Sequence, residues 1–421
     1  MKNHVYLCID LKSFYASVEC AERGLDAMTA RLVVADPERR SGTICLAVSP
    51  ALKAIGVKNR CRVYEIPASV DYIMAPPRMQ LYIQYSAAIY RIYLSYVAKE
   101  DIAVYSIDEA FLDVTDYLSL YSVTPRELGI RIMDDIRQTL RIPAACGIGT
   151  NLYLSKVALD ITAKHARDFT GYLDEELYRR TLWGHRPITD FWRVGPGTAR
   201  RLHSMGIDTM EGITRAEEDL LYRTFGLEAE YLIDHAWGRE PTTIQQIQAY
   251  TPKDTSLSSG QVLMRDYRCE EGLLIVKEMT DLLCLDLVER RLVTNSLSLF
   301  IGYSGHSLKP ARGTSSMSVT TSSVRVITEY MAALYRRIVD PQSLIRRVVI
   351  TFGHVMGEDF EQWDLFTDPQ YLEKDRRIQR TVLDIKRRFG KNAVFKAMDL
   401  QAAATTRERN QQIGGHRRGL L

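Results

Sequence analysis

Two short apolar runs end on acids, about a hundred residues apart. Asp10 follows Val5-Tyr6-Leu7-Cys8-Ile9, and Asp108-Glu109 follows Ile102-Ala103-Val104-Tyr105-Ser106-Ile107. Runs of this length and composition predict strands, and a strand leaves its end side chains free for chemistry. Set side by side in one sheet, the two ends gather three carboxylates, which repel one another unless a cation neutralises them. Oxygen ligands without neighbouring Cys or His favour Mg²⁺, which takes one or two carboxylates and fills its shell with water and substrate phosphates. The pattern points to metal-assisted phosphoryl or nucleotidyl transfer. An Asp after a strand also serves as an ordinary turn or helix cap, so the surrounding sequence has to decide.

At 421 residues the chain is too long for a single core and predicts three or four domains. Its apolar (46%), charged (25%) and aromatic (9%) fractions are those of a soluble globular protein. Met1-Lys2-Asn3-His4 leads straight into a strand rather than a signal peptide, and no segment has the apolar length of a membrane span. The 7 cysteines are scattered and lie mostly within apolar runs, which fits free thiols in a reducing cytoplasm and argues against a zinc site. A net charge of +3 does not by itself call for nucleic acid, but its distribution is uneven. Residues 357–370 hold acids and no base, whereas residues 371–421 are strongly basic, a tail compatible with a polyanion partner or with a solvated surface.

Residues 1–25 read as a strand and a helix whose apolar face includes Phe14 and Val18. An insertion at 26–75 carries strands at Arg31–Ala35 and Ile44–Val48 and a helix start at Ser49-Pro50. An amphipathic segment, Gln80–Val97, leads into the second acidic run, followed by strand Ala110–Val114, helix Arg126–Leu140 and strand Ala145–Ile148. This order predicts an α+β arrangement with one layer of helices on a sheet. Residues 172–242 read as short helices and include Val194-Gly195-Pro196-Gly197-Thr198-Ala199-Arg200, a glycine-flanked turn that can point backbone N–H groups at a phosphate in the manner of a helix-hairpin-helix. The Gln-rich stretch Thr243–Lys253 reads as a linker. Beyond it, strands at Ser296–Tyr303, Ser316–Thr321 and Arg347–Gly353 alternate with helices Glu270–Glu289 and Ser323–Ile338 in a second βαββαβ domain. Hydroxyl groups on its open face can contact backbone phosphates without reading bases. A helix at Tyr371–Phe389 and a disordered end at Gly414-Gly415-His416-Arg417-Arg418 are expected in the tail.

Cys8-Ile9-Asp10-Leu11-Lys12-Ser13-Phe14-Tyr15-Ala16-Ser17-Val18-Glu19 and Tyr105-Ser106-Ile107-Asp108-Glu109-Ala110-Phe111-Leu112-Asp113 resemble the Y-family DNA polymerases. The likeness is closest to the UmuC-like branch of Gram-positive bacteria and their mobile elements, and it covers residues 1–356 and part of the tail. It implies an α+β multidomain right-hand polymerase. Its parts would be a ferredoxin-like palm (1–25 and 76–171), small fingers (26–75), a helix-hairpin-helix thumb (172–242), a linker (243–253), a βαββαβ little finger (254–356), and a clamp-binding segment with basic tail (357–421). The implied activity is template-directed, low-fidelity translesion DNA synthesis in damage tolerance and SOS mutagenesis, by a cytoplasmic, nucleoid-associated enzyme.

By the same resemblance, Asp10, Asp108, Glu109 and the backbone carbonyl of Leu11 would hold two Mg²⁺ ions roughly 3.5 to 4 Å apart. Tyr15 would be the steric gate against a ribose 2′-hydroxyl, with Phe14 beside it in the nucleotide site. Lys53 and Lys164 would meet the triphosphate; Pro50 stands where many relatives have a Tyr, and Lys164 lies one residue further from Lys156 than in many of them. Gly195, Gly197, Thr198 and Arg200 would contact the DNA backbone. Glu361-Gln362-Trp363-Asp364-Leu365-Phe366-Thr367 resembles the bacterial sliding-clamp-binding peptide, with Gln362, Leu365 and Phe366 as its anchors. Implied partners are primer-template DNA, dNTPs, the clamp, and a damage-response accessory subunit or recombinase filament. Two other readings stay open at this point: another palm-fold nucleotidyl transferase such as a cyclase, and a non-catalytic clamp-bound DNA scaffold.

Overall fold

The computed structural model describes residues 4–39, 42–252, 255–305, 308–360 and 369–419. The chain divides into two compact units, residues 1–250 with 419–421, and residues 251–418. The segment 361–368, with Gln362, Leu365 and Phe366, lies outside the described residues.

In the first unit β1 (Tyr6–Leu11) runs into α1 (Phe14–Glu22). A small three-stranded piece follows: β2 (Leu32–Val34), β3 (Ala47–Val48), α2 (Pro50–Ala54) and β4 (Ile73–Ala75), in the order β3-β2-β4. Val33, Cys45, Val48, Leu52 and Ile66 form its core. Next come α3 (Met79–Leu94), β5 (Ile102–Val104), β6 (Glu109–Asp113), α4 (Tyr117–Tyr121), α5 (Pro125–Leu140), β7 (Ala144–Gly149), α6 (Leu152–Val157) and β8 (Thr170–Leu173). The central sheet has the order β5-β6-β1-β7-β8, with β1 antiparallel to both neighbours and β8 parallel to β7. Because β1 is buried on both faces, it reads as an unbroken apolar run rather than an alternation.

Helices cover both faces of this sheet, not one as the sequence pattern suggested. On one face α5 lays down Leu128, Ile132 and Ile136, four residues apart and fully buried. It starts at a reciprocal capping box between Thr124 and Glu127. On the other face lie α6 and a π-helical segment, Ala158–Thr162. They sit directly on the strand backbone, because a Cβ on Gly147 would be 2.1 Å from the Ser155 carbonyl oxygen and one on Gly149 would be 2.2 Å from the Ser155 nitrogen. Gly171 on β8 leaves the same clearance beneath the π segment. Glycine is required here by close approach of two backbones.

A cluster of short helices completes the unit: α7 (Glu175–Leu182), α8 (Pro196–Ser204), α9 (Met210–Thr214), α10 (Glu218–Phe225) and α11 (Glu228–Ala236), around Tyr178, Phe191, Leu202, Ile213 and Leu232. The stretch expected as a linker instead contains a helix, α12 (Ile244–Ala249). A Thr243/Gln246 capping box starts it, Ile244 is fully buried, and Gln248 donates to the Ile102 carbonyl at 2.9 Å. One buried isoleucine and a cap outweigh the polar composition that suggested a free connection.

The second unit is built from β9 (Leu257–Tyr267), α13 (Cys269–Arg290), β10 (Leu292–Tyr303), β11 (Ala311–Thr321), α14 (Val324–Ile338) and β12 (Ile345–Gly353), the expected βαββαβ order. Its antiparallel sheet runs β11-β10-β12-β9, with the short β13 (Met356–Gly357) pairing with β10. α13 and α14 cover one face of the sheet. On the opposite face Ser258, Thr351, Ser298 and Thr314 stand abreast across four strands. In the neighbouring rows the guanidinium groups of Arg312 and Arg347 lie 5.1 and 5.5 Å from the ring centre of Phe300.

The tail folds onto this unit. α15 (Pro369–Phe389) packs on α13, and Asp375 accepts from Ser323 Oγ at 2.6 Å. The buried carboxylate of Glu278, on α13, accepts from the backbone N–H of Thr405 at 3.0 Å and of Thr406 at 3.3 Å, just where α16 (Thr406–Arg409) begins. Arg409 donates to Gln261 and Ser259 of β9. The end expected to be disordered is a small hairpin of β14 (Gln412–Ile413) and β15 (His416–Arg417). Gly414 and Gly415 take φ values of 59° and 80°, the left-handed pair that a two-residue hairpin loop demands.

Candidate active site

Asp10 lies near the end of β1 and faces Glu109 directly across the β1–β6 ladder. Residues paired in this way project from the same face of a sheet, here the face covered by α6 and the π segment. The sequence suggested that Asp108 and Glu109 close a strand; they open one instead. The chain turns over residues 105–108, with the N–H groups of Tyr105 and Ser106 both donating to the Glu109 carbonyl at 3.0 Å. The Leu11 N–H donates to the Asp108 carbonyl at 2.9 Å, tying the turn to the end of β1. Asp108 is partly exposed, and its Oδ1 accepts from Ser106 Oγ at 2.6 Å.

Two ammonium groups come down onto this cluster from the facing helical layer. Lys156 Nζ lies 2.8 Å from Glu109 Oε1 and 3.0 Å from Asp160 Oδ2. Lys164 Nζ lies 2.8 Å from Asp160 Oδ1 and 3.4 Å from Asp10 Oδ2. From beneath, the buried Cys8 thiol donates to Glu109 Oε1 at 3.2 Å. Charges therefore alternate from Asp10 through Lys164, Asp160 and Lys156 to Glu109. The π-helical segment Ala158–Thr162 lies between Lys156 and Lys164 and carries Asp160. Beyond that segment Lys164 reaches Asp10.

Burial pushes the Asp10 carboxyl up to about 6; Lys164 pulls it down, while Asp108 and Glu109 push it further up. Burial also works against the charge of Lys164, but Asp10 and Asp160 outweigh it and raise its pKa above the ordinary lysine value. Among the described residues no three acid, His or Cys side chains enclose a metal position as they stand, because Glu109 is turned onto Lys156 and Asp10 onto Lys164. The donor set nonetheless suits a hard divalent cation: oxygen ligands only, an excess of negative charge, and ammonium groups already held where positive charge is wanted.

A carboxyl with a raised pKa holds its proton more tightly in the folded than in the unfolded chain, so its stability cost is absent below about pH 4 and fully present above about pH 6. In metal-free buffer, Asp10→Asn is therefore expected to stabilise the fold at pH 7.5 by on the order of 1–3 kcal/mol. Thermal melts at pH 7.5 and at pH 4 check this: the gain should vanish at the lower pH, and equal melting of the two proteins at both pH values would show that Asp10 carries no such cost.

The other expected residues fall into three places. Tyr15 is half-buried on α1, with its ring 4.4 Å from that of Tyr82 on α3, whereas Phe14 is buried in the core. Lys53, on α2, donates to Ser13 Oγ at 2.9 Å, at the junction of β1 and α1, and burial lowers its pKa. Gly195 caps α8, Gly197 and Thr198 lie in its first turn, and Arg200 is exposed one turn on. A Cβ on Gly195 or Gly197 would meet nothing within 4 Å, so packing does not require glycine there and the turn is open to close approach. Lys156, Asp160, Cys8 and Tyr82 were not singled out from sequence. The first two were detectable, because Lys156, Asp160 and Lys164 follow one another at four-residue spacing, which puts them on one side of a helical segment.

Residues 9–160 match the impB/mucB/samB family, and residues 254–365 match the C-terminal domain of that family. UvrX of Bacillus subtilis (strain 168) is 30% identical over 415 residues, covering 98% of this chain and 97% of that protein. DNA polymerase IV 2 of the same organism is 30% identical over 429 residues and 99% of each chain. DNA polymerase IV 2 of Halalkalibacterium halodurans is 28% identical over 98% of this chain and 99% of the relative. Among solved structures the fold is similar to the Y-family DNA polymerase chimera Dbh-Dpo4(243-245)-Dbh, with a TM-score of 0.66 and 18% identity over 84% of this chain and 99% of that one. The match begins on the strand that carries Asp10 and resumes on the open-faced sheet of the second unit: this chain belongs to the impB/mucB/samB family of Y-family DNA polymerases.

Proposed function

We propose that this chain is a template-directed DNA polymerase of the translesion type, adding dNTPs to a primer 3′-hydroxyl with loss of pyrophosphate. The observation that carries this reading is the register pairing of Asp10 with Glu109, with Asp108 in the adjoining turn and two lysines on the same face. Asp10, Asp108, Glu109 and the Leu11 carbonyl are the groups that would hold two Mg²⁺ ions. When bound, such ions activate the attacking hydroxyl and neutralise the triphosphate and the leaving pyrophosphate. Lys164 and Lys53 place positive charge for the triphosphate, as point charges that need no bidentate geometry. Catalysis of this kind is largely positioning and electrostatics, which suits charged groups fixed on rigid strands and a clamped helix.

In this reading residues 1–25 and 76–171 are the palm, 26–75 the fingers, 172–242 the thumb and 254–356 the little finger, with α12 belonging to the connection. The exposed Gly195–Gly197 turn at the start of α8 offers backbone N–H groups to a DNA phosphate. The row of hydroxyl groups on the open sheet, with Arg312 and Arg347 beside it, offers further contacts that carry no base information. Fingers of about fifty residues give little cover over a nascent base pair, which favours tolerance of distorted templates. Gln362, Leu365 and Phe366 would tether the enzyme to a sliding clamp and raise its local concentration at a primer end.

Primer extension by the purified full chain with Mg²⁺ and dNTPs tests this, and the sugar gate adds a sharper check. Tyr15→Ala is expected to lower the preference for dNTPs over rNTPs by at least about tenfold, while extension stays dependent on Mg²⁺. An unchanged preference removes Tyr15 from the gate role.

A further inference from the structure

Behind the ring of Tyr15 lies a second ring. Tyr82 stacks on it with centroids 4.4 Å apart and planes 15° apart, and Tyr82 is itself fully buried. One face of Tyr15 is thus covered, and only its remaining surface is left for a nucleotide. The Tyr82 hydroxyl donates to Glu19 Oε1 at 2.8 Å. Glu19 sits one helical turn after Tyr15 on α1, with its side chain wholly removed from solvent. It accepts two more bonds from Arg78, Nε at 2.9 Å and Nη2 at 2.8 Å, and another from Arg23. Arg78 is the residue from which α3 begins. Burial works against the charge on Glu19, but the donors from Arg78, Arg23 and Tyr82 outweigh it and hold the carboxyl below its ordinary value.

The result is a closed loop between two helices. Tyr15 touches Tyr82 by stacking, Tyr82 is tied to Glu19 by its hydroxyl, and Glu19 returns to Tyr15 through one turn of α1. Charge-assisted bonds from a bidentate guanidinium are the strong kind, and this one pins the start of α3 to α1. A gate excludes a 2′-hydroxyl only if its ring cannot withdraw, and a misplacement of about 1 Å near a reacting centre can cost on the order of a hundredfold in rate. On its stacked face the Tyr15 ring has no room to move, because Tyr82 occupies that side.

We propose that Tyr82, anchored by Glu19 and Arg78, is a positioning residue that sets sugar selectivity by holding the Tyr15 ring in place. This assignment rests on the reading of Tyr15 as the gate. It explains why a buried tyrosine and glutamate and a partly buried arginine are assembled behind a half-buried ring, where apolar packing alone would fill the space.

Single-nucleotide insertion by the full chain, with each dNTP and its matching rNTP on one primer-template, tests it in wild type, Tyr15→Ala, Tyr82→Leu, Tyr82→Phe and the Tyr15→Ala/Tyr82→Leu pair. The quantity read is the ratio of kcat/KM for the two sugars. Tyr82→Leu is expected to lower the dNTP preference by about tenfold, and the double variant should show no more relaxation than Tyr15→Ala alone. Tyr82→Phe keeps the stacked ring and loses only the anchor, so a smaller loss of preference is expected, matched by Glu19→Gln. Should Tyr82→Leu fail to fold, Tyr82→Phe decides. Relaxation by Tyr15→Ala alone, with the Tyr82 variants at the wild-type ratio, overturns the role of Tyr82 and leaves the gate intact. No relaxation in Tyr15→Ala overturns the gate, and the role of Tyr82 with it.

Discussion

Asp108→Ala is expected to cost primer extension about 10²- to 10³-fold or more, the scale seen when a single preorganised electrostatic group is removed from a reacting centre. The fold should survive, because Asp108 sits in a turn, is partly exposed, and has Ser106 as its side-chain hydrogen-bond partner. Substitutions of that kind stay within about 0.5 kcal/mol of wild type, which in a unit of this size is at most about 2 °C in Tm. Single-turnover incorporation and a melting curve on the same preparation check both halves. Extension within tenfold of wild type from a folded Asp108→Ala protein would move nucleotidyl transfer away from these carboxylates. Loss of extension with DNA binding retained would set aside the scaffold reading, since a scaffold has no use for the acid.

The largest structural effect is expected at Gly147, far less conspicuous in the sequence. A methyl group there would lie 2.1 Å from the Ser155 carbonyl oxygen and 2.3 Å from the Leu159 nitrogen. Both are backbone atoms, so no side chain can swing aside, and the α6–π segment would have to lift off β7. Overpacking a core commonly costs about 1–3 kcal/mol when side chains can give way; with backbone against backbone, Gly147→Ala should reach the upper end or exceed it. The lifted segment carries Lys156 and Asp160 and leads into Lys164, so activity should fall even below the melting transition. Gly184→Ala is the natural comparison, because its Cβ would meet nothing within 4 Å and its φ is not in the left-handed region. Denaturant unfolding of the two variants separates them, and a Gly147→Ala protein as stable as Gly184→Ala would mean that the helix is not held against the sheet as closely as described.

The acids, the strand that carries Asp10 and the second βαββαβ unit were legible in the sequence, because long apolar runs and helical periodicity are local signals. The hairpin before Glu109 was not. Residues 102–107 contain no Gly or Pro, and the turn is fixed by two N–H groups converging on the Glu109 carbonyl, a tertiary arrangement with no composition of its own. β8 escaped notice because Thr170-Gly171-Tyr172-Leu173 is short and holds a glycine, which ordinarily weakens a strand and here admits a helix. α12 and the terminal hairpin depart from expectation for a shared reason: polar composition suggests free chain, whereas a cap, one buried isoleucine and a pair of left-handed glycines order these segments. The clustering of Asp160 with Lys156 and Lys164 could be anticipated from spacing, but not the π segment that lies between the two lysines.

The position of Glu278 has a consequence for how the molecule is made. This carboxylate lies in the middle of α13, yet it receives its backbone donors from Thr405, 127 positions later. Domains fold as units, the N-terminal one first, while synthesis proceeds. The unit bearing Asp10, Asp108 and Glu109 can therefore consolidate while the ribosome is still producing its successor. The open-faced sheet has to wait with a buried acid that water alone can satisfy, until the residues that strap it shut emerge behind it.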